Sequence, residues 1–204
     1  TVFMKDILDE VIKKAKKNLL KREKLNDKVE EWSTGIALNL VKAGVDAIWL
    51  GEDLGSQTSM LISPEIWRNL FKPRHKRLVE RLKQENSNII IIMHSDGAVA
   101  PLIDDFIEIG VDVYNPVQPN VVGSDPQELK TKYGDKICFF GGIDQQNLLP
   151  SGDLEKIRKE IKLRVQILGK DKGYILAPAH ILQTDVSIET VKEMIKAAIK
   201  YGNY

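Results

Sequence analysis

Five short apolar runs, DAIWLG at 46–51, IIIIMHS at 89–95, VDVYNPV at 111–117, ICFFGGI at 137–143 and GYILAP at 173–178, alternate with amphipathic stretches of helical period. A run that is apolar throughout has no polar face to offer solvent, so these runs predict parallel strands with both faces covered by helices. The fold class is therefore α/β. A closed β/α barrel needs eight strands and usually about 250 residues. The pattern fits a barrel of TIM type that lacks its first three units, or an open sheet. Residues 1–204 read as a single, partial β/α-barrel domain, since 43% hydrophobic residues suffice for one sizeable core.

The helical stretches have recognisable limits. Residues 3–24 repeat apolar positions at helical spacing with many lysines on the other face, and a second helix is expected over 28–43, ending before Gly44. Ser63-Pro64 reads as an N-cap followed by proline in the first turn of a long helix through about Gln84. Further helices are expected at 100–108, from Asp125-Pro126, at 153–168 and at 187–200.

Charge and cysteine content remove several classes of function. The 30 basic residues nearly cancel the 29 acidic ones, so no broad positive field exists for nucleic acid or an anionic membrane. The one cysteine, Cys138, sits in an apolar run and reads as a small buried residue. No run approaches about 20 apolar residues and no signal peptide opens the chain, so the expected location is the reducing cytoplasm. A phosphate-binding loop, HExxH and a nucleophile elbow are all lacking.

Parallel α/β folds gather their chemistry at the C-terminal ends of the strands. Two runs finish there in a histidine: His94 in IIIIMHSDG and His180 in GYILAPAH. Asn115, Gln118 and Asp144 follow other strand segments and would line the same mouth, although Asn115-Pro116 also reads as a turn. Asp96 precedes Gly97 and suits a turn or N-cap as well as a ligand, and Asp185 suits a cap of the last helix. His75, within KPRHKR, reads as solvated.

The order GEDLG, SP and a KP helix, IIIIMHSDG, IEIGVDVYNPVQP, YGDKICFFGGID and GYILAPAH resembles the C-terminal part of the uroporphyrinogen decarboxylase superfamily, from about Ala43 to Gly202. The resemblance implies a (β/α)8 barrel and two candidate activities. One is decarboxylation of the acetate arms of a tetrapyrrole. The other is zinc-dependent methyl transfer between a methyl-corrinoid protein and a small acceptor such as a thiol. The methyltransferase branch holds zinc with a His-x-Cys at one strand end and a further Cys in the last strand-loop. Here those positions read His94-Ser95-Asp96 and His180.

Imidazole nitrogen and carboxylate oxygen also bind zinc, and a catalytic site typically uses three protein ligands with one position open. The resemblance thus implies His94, Asp96 and His180 as metal ligands, with Asp53 or Glu52 in reserve. Asp53, Asn115 and Gln118 are the candidates for positioning ligands or substrate. A donor set without thiolate also suits iron, cobalt or manganese. In the decarboxylase branch a histidine contacts the tetrapyrrole where His180 stands, but its neighbours Ala179 and Ile181 differ from the Gly-His-Gly of that branch. The expected partners are a corrinoid protein and a methyl acceptor. Two raw sheet edges also invite a second copy, a complementing N-terminal chain, or cover by the lysine-rich helix. A non-catalytic half-barrel that binds a partner or metal is the remaining alternative.

Overall fold

The computed structural model describes residues 2–202, and within 2–22 it describes the side chains of Lys14 and Lys21 alone. The lysine-rich face at 3–24, with its expected cover of a sheet edge, therefore lies outside the described residues. The backbone there belongs to one helix, α1 (Val2–Lys42), where two had been expected. The join Leu25-Asn26-Asp27 contains neither glycine nor proline. Nothing there forces a break.

Strand β1 (Ala47–Gly51) follows, then α2 (Pro64–Leu70), α3 (Lys72–Glu85) and β2 (Ile90–His94). Ser63 caps α2 by accepting from the Ile66 N–H. The single helix expected through Gln84 divides at Phe71. Pro73 has no N–H, and in a continuous helix its ring would strike the carbonyl of Asn69. Proline instead occupies the first turn of α3, where its lack of an N–H costs nothing.

A 3-10 turn at Ala100–Leu102 leads into α4 (Ile103–Glu108), followed by β3 (Val113–Val117), α5 (Pro126–Tyr133), β4 (Cys138–Ile143), α6 (Leu154–Leu168), β5 (Tyr174–Pro178) and α7 (Ile188–Tyr201). Asp125 and Asp153 cap α5 and α6. The cap of α7 is Ser187, which corrects the expectation for Asp185. No helix among the described residues is long and apolar enough to cross a membrane.

The five strands pair in the order β1-β2-β3-β4-β5, all parallel. The sheet is strongly curled. Trp49 on β1 meets Phe140 on β4 at 5.8 Å between ring centroids, edge to face, although two strands lie between them. In a flat sheet those strands would stand about 14 Å apart. On the convex face Ile48, Ile91, Met93, Tyr114, Phe139 and Tyr174 are each at most 6% exposed. They form one cluster with Leu82 of α3, Phe106 of α4 and Ile161 of α6.

The concave face departs from the expectation that both faces are covered. Trp49, Ile90 and Ile175 remain 51%, 43% and 42% exposed. Trp49 also borders an open cavity that it shares with Trp32, Ile36 and Leu40 of α1.

Candidate metal centre

Strand register sets up the site. Gly51 pairs with His94, and His94 pairs with Asn115, so three C-terminal strand ends lie side by side. Asn115 lies within β3, so the turn reading does not hold. Its buried side chain accepts through Oδ1 from His94 Nδ1 at 2.6 Å. That bond puts the ring proton on Nδ1 and leaves a lone pair on Nε2. Trp49 flanks the same ring at 5.6 Å between centroids.

His94 Nε2 faces a convergence of carboxylates. It lies 3.8 Å from Asp53 Oδ1 and 3.9 Å from Asp96 Oδ2. His180 Nε2 approaches the same Asp96 oxygen at 3.7 Å. Asp53, His94 and Asp96 offer donor atoms that all lie within 4.8 Å of one another. These separations are too long for hydrogen bonds. A tetrahedral ion with bonds of about 2.0–2.2 Å holds its ligand atoms roughly 3.3–3.6 Å apart. Small side-chain movements would close the difference, so the donor set fits a divalent ion. Burial raises the Asp96 carboxyl above its ordinary range, with Asp53 adding to the effect while His94 and His180 oppose it.

The loops carrying these groups are fastened together. Ser95, fully buried, accepts from the Leu54 N–H through its Oγ at 3.0 Å. Gly55 N–H donates to Asp96 O, and Ala98 N–H donates to Ser56 O. The two backbones approach so closely that a Cβ on Gly97, whose φ is +88°, would lie 2.3 Å from the Gly55 carbonyl carbon. Only glycine fits such a crossing. Asp53 Oδ1 accepts from the Asp96 N–H, and Gln118 Oε1 accepts from the Gly97 N–H at 2.7 Å.

Beside this point opens a cleft of about 240 Å³, lined by His180, Asp96, Asp144 and several glutamines. Asp144 accepts from the Gln146 and Asn147 N–H groups and from the side chains of Asn147 and Asn120. Burial works against its charge, but these hydrogen bonds outweigh it and hold the carboxyl below its usual range. Gln57 Nε2 donates to Gln146 Oε1 at 3.3 Å, joining the loop after β1 to the loop after β4.

Two expectations fail here. Glu52 is no reserve ligand, because its Oε1 accepts from Trp67 Nε1 at 2.9 Å and lies 3.2 Å from His75 Nε2. His75 is not solvated, with a side chain only 19% exposed. Burial disfavours its charge, but Glu52 and the Phe71 carbonyl prevail and raise its pKa. Cys138 is half-buried, and desolvation holds its thiol neutral.

The sequence reading missed Ser95, Trp49, the Gly55-Gly97 crossing and the Gln57-Gln146 bridge. Only the glycines left a visible signal, since each stands in a polar loop directly after a strand.

With that geometry in hand, comparison with known proteins is decisive for the family. The family model described as Uroporphyrinogen decarboxylase (URO-D) matches residues 5–201. The chain belongs to this family. Its URO-D relatives include the methylcobamide:CoM methyltransferase MtaA of Methanosarcina barkeri, 25% identical over 162 residues, which are 79% of this chain and 44% of that protein. A uroporphyrinogen decarboxylase of Hydrogenobaculum sp. (strain Y04AAS1) is 25% identical over 182 residues, 88% of this chain and 48% of that one. A solved methyltransferase from Methanosarcina mazei superposes with a TM-score of 0.70 at 24% identity, covering 86% of this chain and 48% of its own. The chain thus spans less than half the length of the curated relatives it matches.

Proposed function

We propose that this chain supplies the metal-binding part of a methyltransferase that moves a methyl group between a methyl-corrinoid protein and a small acceptor such as a thiol. The observation that carries the reading is the cluster of Asp53, His94 and Asp96, whose donor atoms lie within 4.8 Å of one another with no hydrogen bond between their side chains, together with His180 Nε2 at 3.7 Å from Asp96 Oδ2. Similarity to a methylcobamide:CoM methyltransferase supports it.

His94, Asp96 and His180 would hold the ion, with Asp53 as fourth ligand or as the acceptor that fixes the Asp96 loop. Zinc is the proposed metal, although the same donors suit iron, cobalt or manganese. When bound, such an ion keeps a thiol ionised at neutral pH, which is the nucleophile a cobalt-borne methyl group requires. Asn115 fixes the tautomer of His94, and Trp49 restrains its ring. Gln118 holds the Gly97 turn and so positions Asp96. The methyl group passes to a sulfur lone pair, and the electron pair of the cobalt–carbon bond stays with cobalt. We place the protein in the cytoplasm, as one β/α domain whose corrinoid arrives on a partner.

The test is consumption of methylcobalamin, followed by absorbance, with zinc and 2-mercaptoethanol. The expected result is acceleration that falls about 10–100-fold in His94→Ala and His180→Ala. No acceleration by the unaltered protein, or decarboxylation of uroporphyrinogen in its place, would overturn the reading.

A further inference from the structure

The wall of the cleft is notable for the charge it lacks. Among the described residues no lysine or arginine lines this cleft. The polar lining consists of Gln57, Gln118, Gln145 and Gln146 with Ser56, Asp96, Asp144 and His180. Asp96 and Asp144 of the lining and the neighbouring Asp53 make three carboxylates, one more negative charge than a divalent ion neutralises. An anionic substrate would meet that charge with no cation among the described lining residues to offset it.

The glutamines give the wall its second property. Each amide offers two donors and an acceptor on one side chain. Gln118, which lines the cleft, uses its Oε1 on the Gly97 N–H, and its amide retains two N–H donors. Gln57 and Gln146 bridge across the cleft and retain further capacity on both amides. Hydroxyl groups, which donate and accept, match such a lining.

We infer that this cleft selects an uncharged, hydroxyl-bearing small molecule as methyl acceptor and rejects anionic ones. The inference rests on the metal reading above and adds the chemical class of the acceptor to it.

The test uses the whole protein loaded with cobalt(II), whose visible bands report metal in the site and whose thiolate charge-transfer band reports a bound thiol. Two thiols of similar size are titrated, 1-thioglycerol and 2-mercaptoethanesulfonate. The inference predicts that thioglycerol binds at least about tenfold more tightly at low salt, with the gap narrowing as salt screens the wall. Gln57→Lys, at an exposed position, should strengthen sulfonate binding several-fold and weaken thioglycerol, which loses the Gln57 amide, so that the preference narrows or reverses. Equal affinities, or tighter binding of the sulfonate, with cobalt retained would overturn this inference and leave the metal reading standing. Loss of cobalt on dialysis would overturn both.

Discussion

The two faces of the one sheet differ sharply. The convex face buries Ile91, Met93 and Phe139 completely, while the concave face leaves Trp49, Ile90 and Ile175 about half exposed. Both faces come from the same apolar strands, in which alternate residues point opposite ways. What separates them is the partner: helices α3, α4 and α6 contribute to the core on one side, whereas on the other Trp49 borders an open cavity that it shares with Trp32, Ile36 and Leu40 of α1. Stability therefore resides in the convex face. The concave face carries the proposed metal site at its C-terminal end, with apolar surface left over.

The largest effect expected from this contrast compares two adjacent phenylalanines on β4. Phe139→Ala should cost about 3–5 kcal/mol in urea unfolding. Phe140→Ala, on the half-covered side, should cost about 1 kcal/mol. Equal costs would break the distinction between the faces. Next in size is Gly97→Ala, which drives a Cβ into the Gly55 backbone. A loss of about 2 kcal/mol with weaker metal binding is expected, because separating the loops moves Asp53 from Asp96. Retained stability and affinity would show that the crossing is not needed.

Asn115→Ala sharpens the comparison from the functional side. Metal affinity should fall about 10–100-fold, and Asn115→Asp, which keeps the acceptor, should restore most of it. Isothermal titration with zinc reads both. If alanine and aspartate behave alike, Asn115 does not orient His94.

The smallest effect belongs to the convex side. Asp105 is held by Arg68 and Lys72 with a side chain 7% exposed. Burial raises its pKa, but the two cations outweigh burial and place it below its ordinary value. A carboxyl depressed in the folded state stabilises above its unfolded pKa of about 3.9 and loses that contribution as pH falls through the folded value. Asp105→Asn should therefore cost about 1 kcal/mol at pH 7 and flatten the acid limb of the stability curve below about pH 4. An unchanged acid limb would remove Asp105 from the account.

Much of this was legible in the chain. The five strands follow from apolar runs, and the placement of His94 and His180 at strand ends follows from where those runs stop. Ser63 was readable as a cap from Pro64 after it, whereas Asp125 and Asp153, read as the first residues of their helices, prove to be the caps. The exposure of Trp49 was not legible, because a strand apolar on both faces gives no sign of which face goes uncovered. The Gln57-Gln146 bridge joins residues 89 positions apart, beyond any local pattern. His75 was misread because KPRHKR looks solvated until Glu52 and Trp67 are brought against it.

The central claim is that the polar end of the concave face binds a divalent ion through His94 and His180. Elemental analysis after zinc loading and exhaustive dialysis tests it most directly, with circular dichroism confirming the fold of each variant. We predict near one zinc per chain in the unaltered protein and less than about a tenth of that in folded His94→Ala and His180→Ala. Zinc absent from the unaltered protein, or retained in full by both variants, would contradict the account.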